Sequence, residues 1–223
     1  GGENNTAEHL YSTVSGGYDN EALSPYSAVA GGNNNQAGGF YSAVGGGQLN
    51  SSAGEGATVA GGSRNSAGGD ASSVGGGSNN NASADMATIA GGYTNRATGY
   101  ASAIGGGEEN EALDDDAVVA GGYANRASGA SAAVVGGLYN TASSNESFVG
   151  GGGRNDAVGS YSVIAGGERN RAGAHSVVGG GFTNLATNSY AFIGGGYDNA
   201  ARGARSVIGG GTGNEANGSN AVI

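Results

Sequence analysis

Few residues of this chain are of types that do chemistry. They are His9 and His175, an acidic group of Glu108, Glu109, Glu111 and Asp114, Asp115 and Asp116, a series of serines, and many glycine-rich loops. A serine nucleophile needs a histidine and an orienting acid beside it. Here the two histidines fall in different repeat units, and the serines recur at one fixed place as structural positions. Phosphate loops of the G-x-x-x-x-G-K-[ST] type need a lysine, and the chain has none. Dinucleotide loops need a strand-loop-helix setting that this sequence does not supply. Calcium-binding β-roll repeats carry Asp in a fixed nine-residue register, whereas the acidic cluster occurs once and reads as a solvated loop. Paired carboxylates for glycoside hydrolysis would have to come from variable exposed positions. Asn-x-Ser/Thr triplets at Asn4, Asn50, Asn81, Asn145 and Asn217 are as frequent as chance makes them in so Asn- and Ser-rich a chain. No catalytic, cofactor-binding or metal-binding residue is therefore assigned, and no cofactor is expected.

The element that positions every residue is a repeat. A Gly-Gly pair recurs every 15 residues from Gly1-Gly2 to Gly166-Gly167; one residue is then lost, and the pairs resume at Gly180-Gly181, Gly195-Gly196 and Gly210-Gly211. A short fixed period over all 223 residues predicts a single repeat domain, 1-223, in which each unit is one coil of a β-solenoid. Fifteen coils at about 4.8 Å each would make a rod of roughly 70 Å. Counted from the first Gly, each unit reads G-G-x-x-N-x-A-x-(G)-x-x-(S/A)-x-(V/I)-x. The Asn at place five, present in every unit, includes Asn20, Asn35, Asn95, Asn125, Asn155 and Asn199. Place fourteen is always Val or Ile, including Val29, Val44, Ile104, Val149, Ile164, Ile193 and Ile208.

Strand geometry explains the pattern. Side chains alternate faces, so places twelve and fourteen point one way and places five and seven form a second such pair. Two short strands per coil are predicted, with Val/Ile as the main core filler. The Gly-Gly pair suits a corner with positive φ or close approach of successive coils. Asn tolerates the left-handed region, and its stacked copies can form an amide ladder. The half-retained Gly at place nine marks the second corner.

Composition narrows the function. Eighteen acids against eight arginines give a net charge of -10, which repels nucleic-acid backbones and anionic lipid. The single Pro25 and the absence of a three-residue period exclude collagen. Without cysteine there is no disulfide framework. No apolar run long enough to span a membrane as a helix and no signal peptide are present. The chain opens on a repeat boundary and stops one residue short of a full unit, so a fragment of a longer protein is expected.

The inward residues of each coil are small apart from one Val or Ile, so the core is thin. Place thirteen points the opposite way, yet 11 of its 15 residues are apolar. The largest gather in the second half: Val118, Phe148, Val163, Val177, Phe192 and Val207. An outward apolar row asks for a partner, and the simplest is a copy of the same chain under cyclic symmetry. At place three, Tyr18, Tyr93, Tyr123, Phe182 and Tyr197 offer a candidate ligand surface, or packing between coils; Tyr11, Tyr26, Tyr41, Tyr161 and Tyr190 do the same at place eleven.

The junction S-x-V/I-x-G-G with Asn and Ala in register is seen best in residues 176-223, SVVGGGFTNLATNSYAFIGGGYDNAARGARSVIGGGTGNEANGSNAVI. It resembles the head repeats of YadA-like trimeric autotransporter adhesins, in particular the sub-type with Gly-Gly-Gly at the coil junction. The resemblance covers the whole chain. It implies a left-handed parallel β-roll in a side-by-side homotrimer, at the tip of a fibre on a Gram-negative outer membrane. It also implies a non-enzymatic head that binds host matrix, a protein or glycan receptor, or other cells. Membrane attachment would run through C-terminal regions not contained in this chain. A phage or other secreted trimeric fibre is the alternative expectation, and an ice-binding solenoid, which usually carries Thr ladders, is a third.

Overall fold

The computed structural model describes residues 1–223. They form two compact units, Gly1–Ala112 and Leu113–Ile223. Each is all-β, a parallel β-solenoid with about 15 residues per turn, and the chain makes about 14 turns in all. No helix is long and apolar enough to cross a membrane.

Every complete turn contributes two-residue strands at places six to seven and thirteen to fourteen, such as Gln36–Ala37 and Ala43–Val44. In the first unit one sheet runs from Thr6–Ala7 to Glu111–Ala112 and the other from Thr13–Val14 to Ala103–Ile104. In the second unit the sheets run from Arg126–Ala127 to Glu215–Ala216 and from Val118–Val119 to Val207–Ile208. Pairing is parallel and in register one repeat apart, as in Val134↔Val149 and Ala127↔Ala142. The expectation of two strands per coil omits a third ladder of single-residue parallel bridges at place three, for example Glu3↔Tyr18 and Phe182↔Tyr197.

Alternation puts the expected residues inside. Val29, Val44, Ile104, Val149, Ile164, Ile193 and Ile208 are at most 1% exposed, and within each unit such residues pair in register one turn apart, as in Val29↔Val44, Val149↔Ile164 and Ile193↔Ile208. Ala at place seven, as Ala37 or Ala157, lines the same interior. The serines at place twelve, apart from Ser12 in the first turn, are buried too, and Ser27 Oγ turns back to donate to the Ser24 carbonyl at 2.6 Å.

The first corner confirms the need for glycine but not the conformation expected of Asn. Gly17, the second of its pair, has φ 95°, and a Cβ there would fall on the Gly32 carbonyl oxygen and 2.6 Å from Asn20 Nδ2. The left-handed residue that follows is at place four, not at the place-five Asn: Asp19, Leu49, Arg64 and Tyr139 all have φ of 55–57°. The reason is the direction of the hydrogen bonds. Place four points its N–H back one turn, as Asn34 N donates to Tyr18 O at 2.9 Å. The Asn must stay extended to aim its amide inward. A left-handed L-residue is disfavoured by about 1–2 kcal/mol, so bulky residues persist there because the cross-turn bonds over-determine the backbone.

The second corner repeats the device at place eleven, where Tyr26 has φ 60° and its N–H donates back to Leu10 O at 3.0 Å. The amide at place ten points out of the ladder, and the sequence treats it locally. Pro25 removes the donor altogether. At Glu55 and Asp70 a carboxylate from the next turn accepts it, Glu55 N donating to Asp70 Oδ1 and Asp70 N to Asp85 Oδ1, both at 2.9 Å; at Asp115 and Ser189 the side-chain oxygen of the preceding Asp114 or Asn188 does so.

The one-residue deletion is absorbed at this corner. Gly173 N donates to Ala186 O at 2.7 Å, the bond of place eight, while Gly173 O accepts from Ser176 N at 3.1 Å, the bond of place nine. One glycine thus serves both places. His175 keeps the left-handed conformation of place eleven with φ 55°. Register in both sheets survives, with Val163↔Val177 and Arg171↔Leu185 still paired.

Candidate functional site

Because turns stack in register, each exposed place becomes a row of side chains along its unit. The surface is a set of such rows over a ladder of buried amides. The ladder residues Asn20, Asn35, Asn95, Asn125, Asn155 and Asn199 are at most 1% exposed. Asn155 shows the full set of bonds. Its Nδ2 donates to Asn140 Oδ1 at 3.1 Å, to Gly151 O at 2.9 Å and to Gly167 O at 2.9 Å. Its Oδ1 accepts from Asn170 N at 3.0 Å and Asn170 Nδ2 at 3.1 Å. Asn alone among small residues offers both donor and acceptor in one plane, which is why this place does not vary.

The place-thirteen row points outward from the core. Val118, Phe148 and Phe192 are 40%, 37% and 41% exposed, and Val163, Val177 and Val207 are half-buried among them. From Phe148 onward they are brought together in one unbroken register, Phe148↔Val163↔Val177↔Phe192↔Val207, with Val118 joined to Phe148 through Ala133.

The aromatic rows are both exposed and self-packed. At place three, Phe182 stacks on Tyr197 with centroids 5.6 Å apart and planes at 5°; Tyr18, Tyr93 and Tyr123 are exposed in the same row position. At place eleven, Tyr11, Tyr26 and Tyr41 form a continuous stack with centroids 4.9 and 4.8 Å apart. Phe40 closes on Tyr41 edge-on at 4.4 Å. In the second unit Tyr161, His175 and Tyr190 stack at 4.9 and 4.7 Å. A count from the Gly-Gly pair alone leaves His175 outside this row; counting back one place from Ser176, past the deletion, puts it there. That count also misses the place-ten row of Leu10, Pro25 and Phe40 followed by Glu55, Asp70 and Asp85, whose signal is a switch from apolar to acidic at constant spacing.

Charged groups pair along rows. Gln36 Nε2 donates to Glu21 Oε2 at 2.8 Å, and Asn34 Nδ2 to Asp19 Oδ2 at 2.9 Å, on the walls of a shallow groove of about 250 Å³ floored by Asn35 and Asn50. A similar groove of about 390 Å³ holds the Arg96–Glu111 pair at 3.9 Å. Exposed pairs of this kind contribute little stability. Partial burial pushes the Asp156 carboxyl up against the opposing pull of Arg171. The hydrogen bond from Arg202 holds Glu215 below the usual carboxylate range. Tyr161 is raised because its hydroxyl hydrogen-bonds the Glu146 carboxylate, whose charge also opposes ionisation.

The fold and surface define a parallel β-solenoid that presents ordered rows of aromatic, acidic and apolar side chains. No family model matches the chain, and a search of curated proteins finds no match.

Proposed function

We propose that this chain is a non-enzymatic adhesive head segment of a cell-surface fibre, assembled as a side-by-side homotrimer and binding a protein or glycan receptor through its exposed rows. The observation that carries this reading is the outward face of the place-thirteen sheet. Parallel sheets are ordinarily covered on both faces. Here the inner face covers the core, while Val118, Phe148 and Phe192 stand exposed on the outer one. Burying that row against copies of itself would add apolar burial to a thin core, at roughly 25 cal/mol per Å² removed from water. The resemblance to YadA-like heads supports the threefold arrangement, the left hand of the coil and the surface location. The aromatic rows at places three and eleven supply rigid contact area at low entropic cost.

The test is the solution mass of the chain by light scattering, followed by that of Phe148→Asp with Phe192→Asp. Three chains are expected for the unaltered protein and a loss of association for the double variant. A folded single chain in the unaltered protein would overturn the trimer.

A further inference from the structure

One rung is missing from the aromatic ladder of the first unit. Tyr11, Tyr26 and Tyr41 stack face to face at place eleven of successive turns, and the next residue in that row is Gly56. Apart from its two chain neighbours, nothing lies within 4 Å of where a Gly56 Cβ would be. One face of Tyr41 is packed on Tyr26 and Phe40 closes its side, so the face toward the Gly56 rung is open; Tyr41 is 55% exposed. The slot is also acidic. Glu55 precedes Gly56 in the chain, and Asp70 Oδ1 is pinned 2.9 Å from the Glu55 backbone nitrogen, beside the empty rung.

The second unit shows what completes such an arrangement. There Tyr139 is followed one turn on, in the place-four row, by Arg154, whose guanidinium carbon lies 5.4 Å from the ring centroid. The same guanidinium reaches the Glu168 carboxylate of the following turn at 3.8 Å. Ring, guanidinium and carboxylate thus succeed one another at the spacing of the turns. At Tyr41, Gly56 and Asp70 the ring and the carboxylate are present and the guanidinium is absent.

We propose that the Gly56 slot receives an arginine side chain from a partner protein. The guanidinium stacks on the open face of Tyr41 and meets the carboxylates of Glu55 and Asp70. Arginine is favoured over lysine because its planar, weakly hydrated cation both stacks and forks onto a carboxylate. The net charge of -10 draws such a partner in. This builds on the proposal that the exposed rows bind a partner, but it uses place eleven rather than the place-thirteen face. A monomeric mass would remove the trimer and leave this slot standing.

The experiment is an NMR titration of the whole chain with N-acetyl-arginine methylamide and, separately, N-acetyl-lysine methylamide at matched ionic strength. The signals followed are the Gly56 amide and the Tyr41 ring. A saturable response to the arginine probe, roughly fivefold tighter than to the lysine probe, is expected. Gly56→Arg fills the slot from within; its backbone suits this, since Arg205 occupies the same place with φ 56°. That variant, and Tyr41→Leu, should lose the response. Equal responses to the two probes, or an arginine response that survives Gly56→Arg, would overturn the proposal. The comparison of probes on the unaltered chain stands even if a variant fails to fold.

Discussion

Asn155→Ala tests the reasoning about the amide ladder most directly. The substitution removes three donated and two accepted side-chain bonds at once. Not all of these groups are orphaned. Gly167 O keeps the Gly153 N–H at 2.9 Å, Asn140 Oδ1 keeps the Asn155 backbone N–H at 3.0 Å, and Asn170 Nδ2 keeps Gly166 O and Gly181 O. The Asn170 backbone N–H loses the acceptor it bonds, and Gly151 O loses its amide donor. Each buried polar group left unpaired costs about 1–3 kcal/mol. With a small void beside them, the expected loss is roughly 3–5 kcal/mol. The assay is denaturant unfolding followed by circular dichroism at one fixed protein concentration, with Asn79→Ala at place four as the control. Asn79 is half-buried at the surface, and its loss should change stability by less than about 1 kcal/mol. In a solenoid each turn contacts only its neighbours, so the broken ladder should also broaden the transition. Equal, small effects of the two substitutions would refute the view that the buried amides hold the turns together.

Two further outcomes follow from local geometry. Gly167→Ala should destabilise by about 2 kcal/mol or more, because its Cβ would approach Asn170 Nδ2 to 2.7 Å and Gly181 N to 2.8 Å at φ 89°. Gly166→Ala meets nothing within 4 Å and should be nearly neutral; thermal unfolding of the pair distinguishes them, and matched melting temperatures would sink the close-approach argument. For Tyr161, loss of the phenolic proton would set an anion against Glu146, so the hydrogen bond raises its pKa. Glu146→Gln should bring the Tyr161 titration down toward that of an ordinary tyrosine, as followed by NMR of the ring carbons between neutral and alkaline pH. An unchanged midpoint would mean that the carboxylate is not the cause.

The repeat was legible in the sequence because its constraints are local and identical in every turn. A Val or Ile at place fourteen, an Ala at place seven and an Asn at place five each answer to alternation and burial, which depend on spacing alone. The core of Val44, Ile104 or Ile193 and the outward place-thirteen row of Phe148 and Phe192 therefore follow from spacing alone. Other features depend on the direction of hydrogen bonds between turns. Spacing did not reveal that place four, not the Asn, turns left-handed, since Leu49, Arg64 and Tyr139 have no residue type in common. Nor did it reveal the third ladder at place three, or the single glycine that serves two places at the deletion. The rows that bear on function were half legible. Tyrosines at a fixed place announced themselves, but only the stacked turns decided that His175 completes one aromatic column and that Gly56 interrupts another. A column exists only when the pitch of the coil brings residues one repeat apart to ring-stacking distance, and that pitch is set by the backbone ladders rather than by the side chains that ride on them.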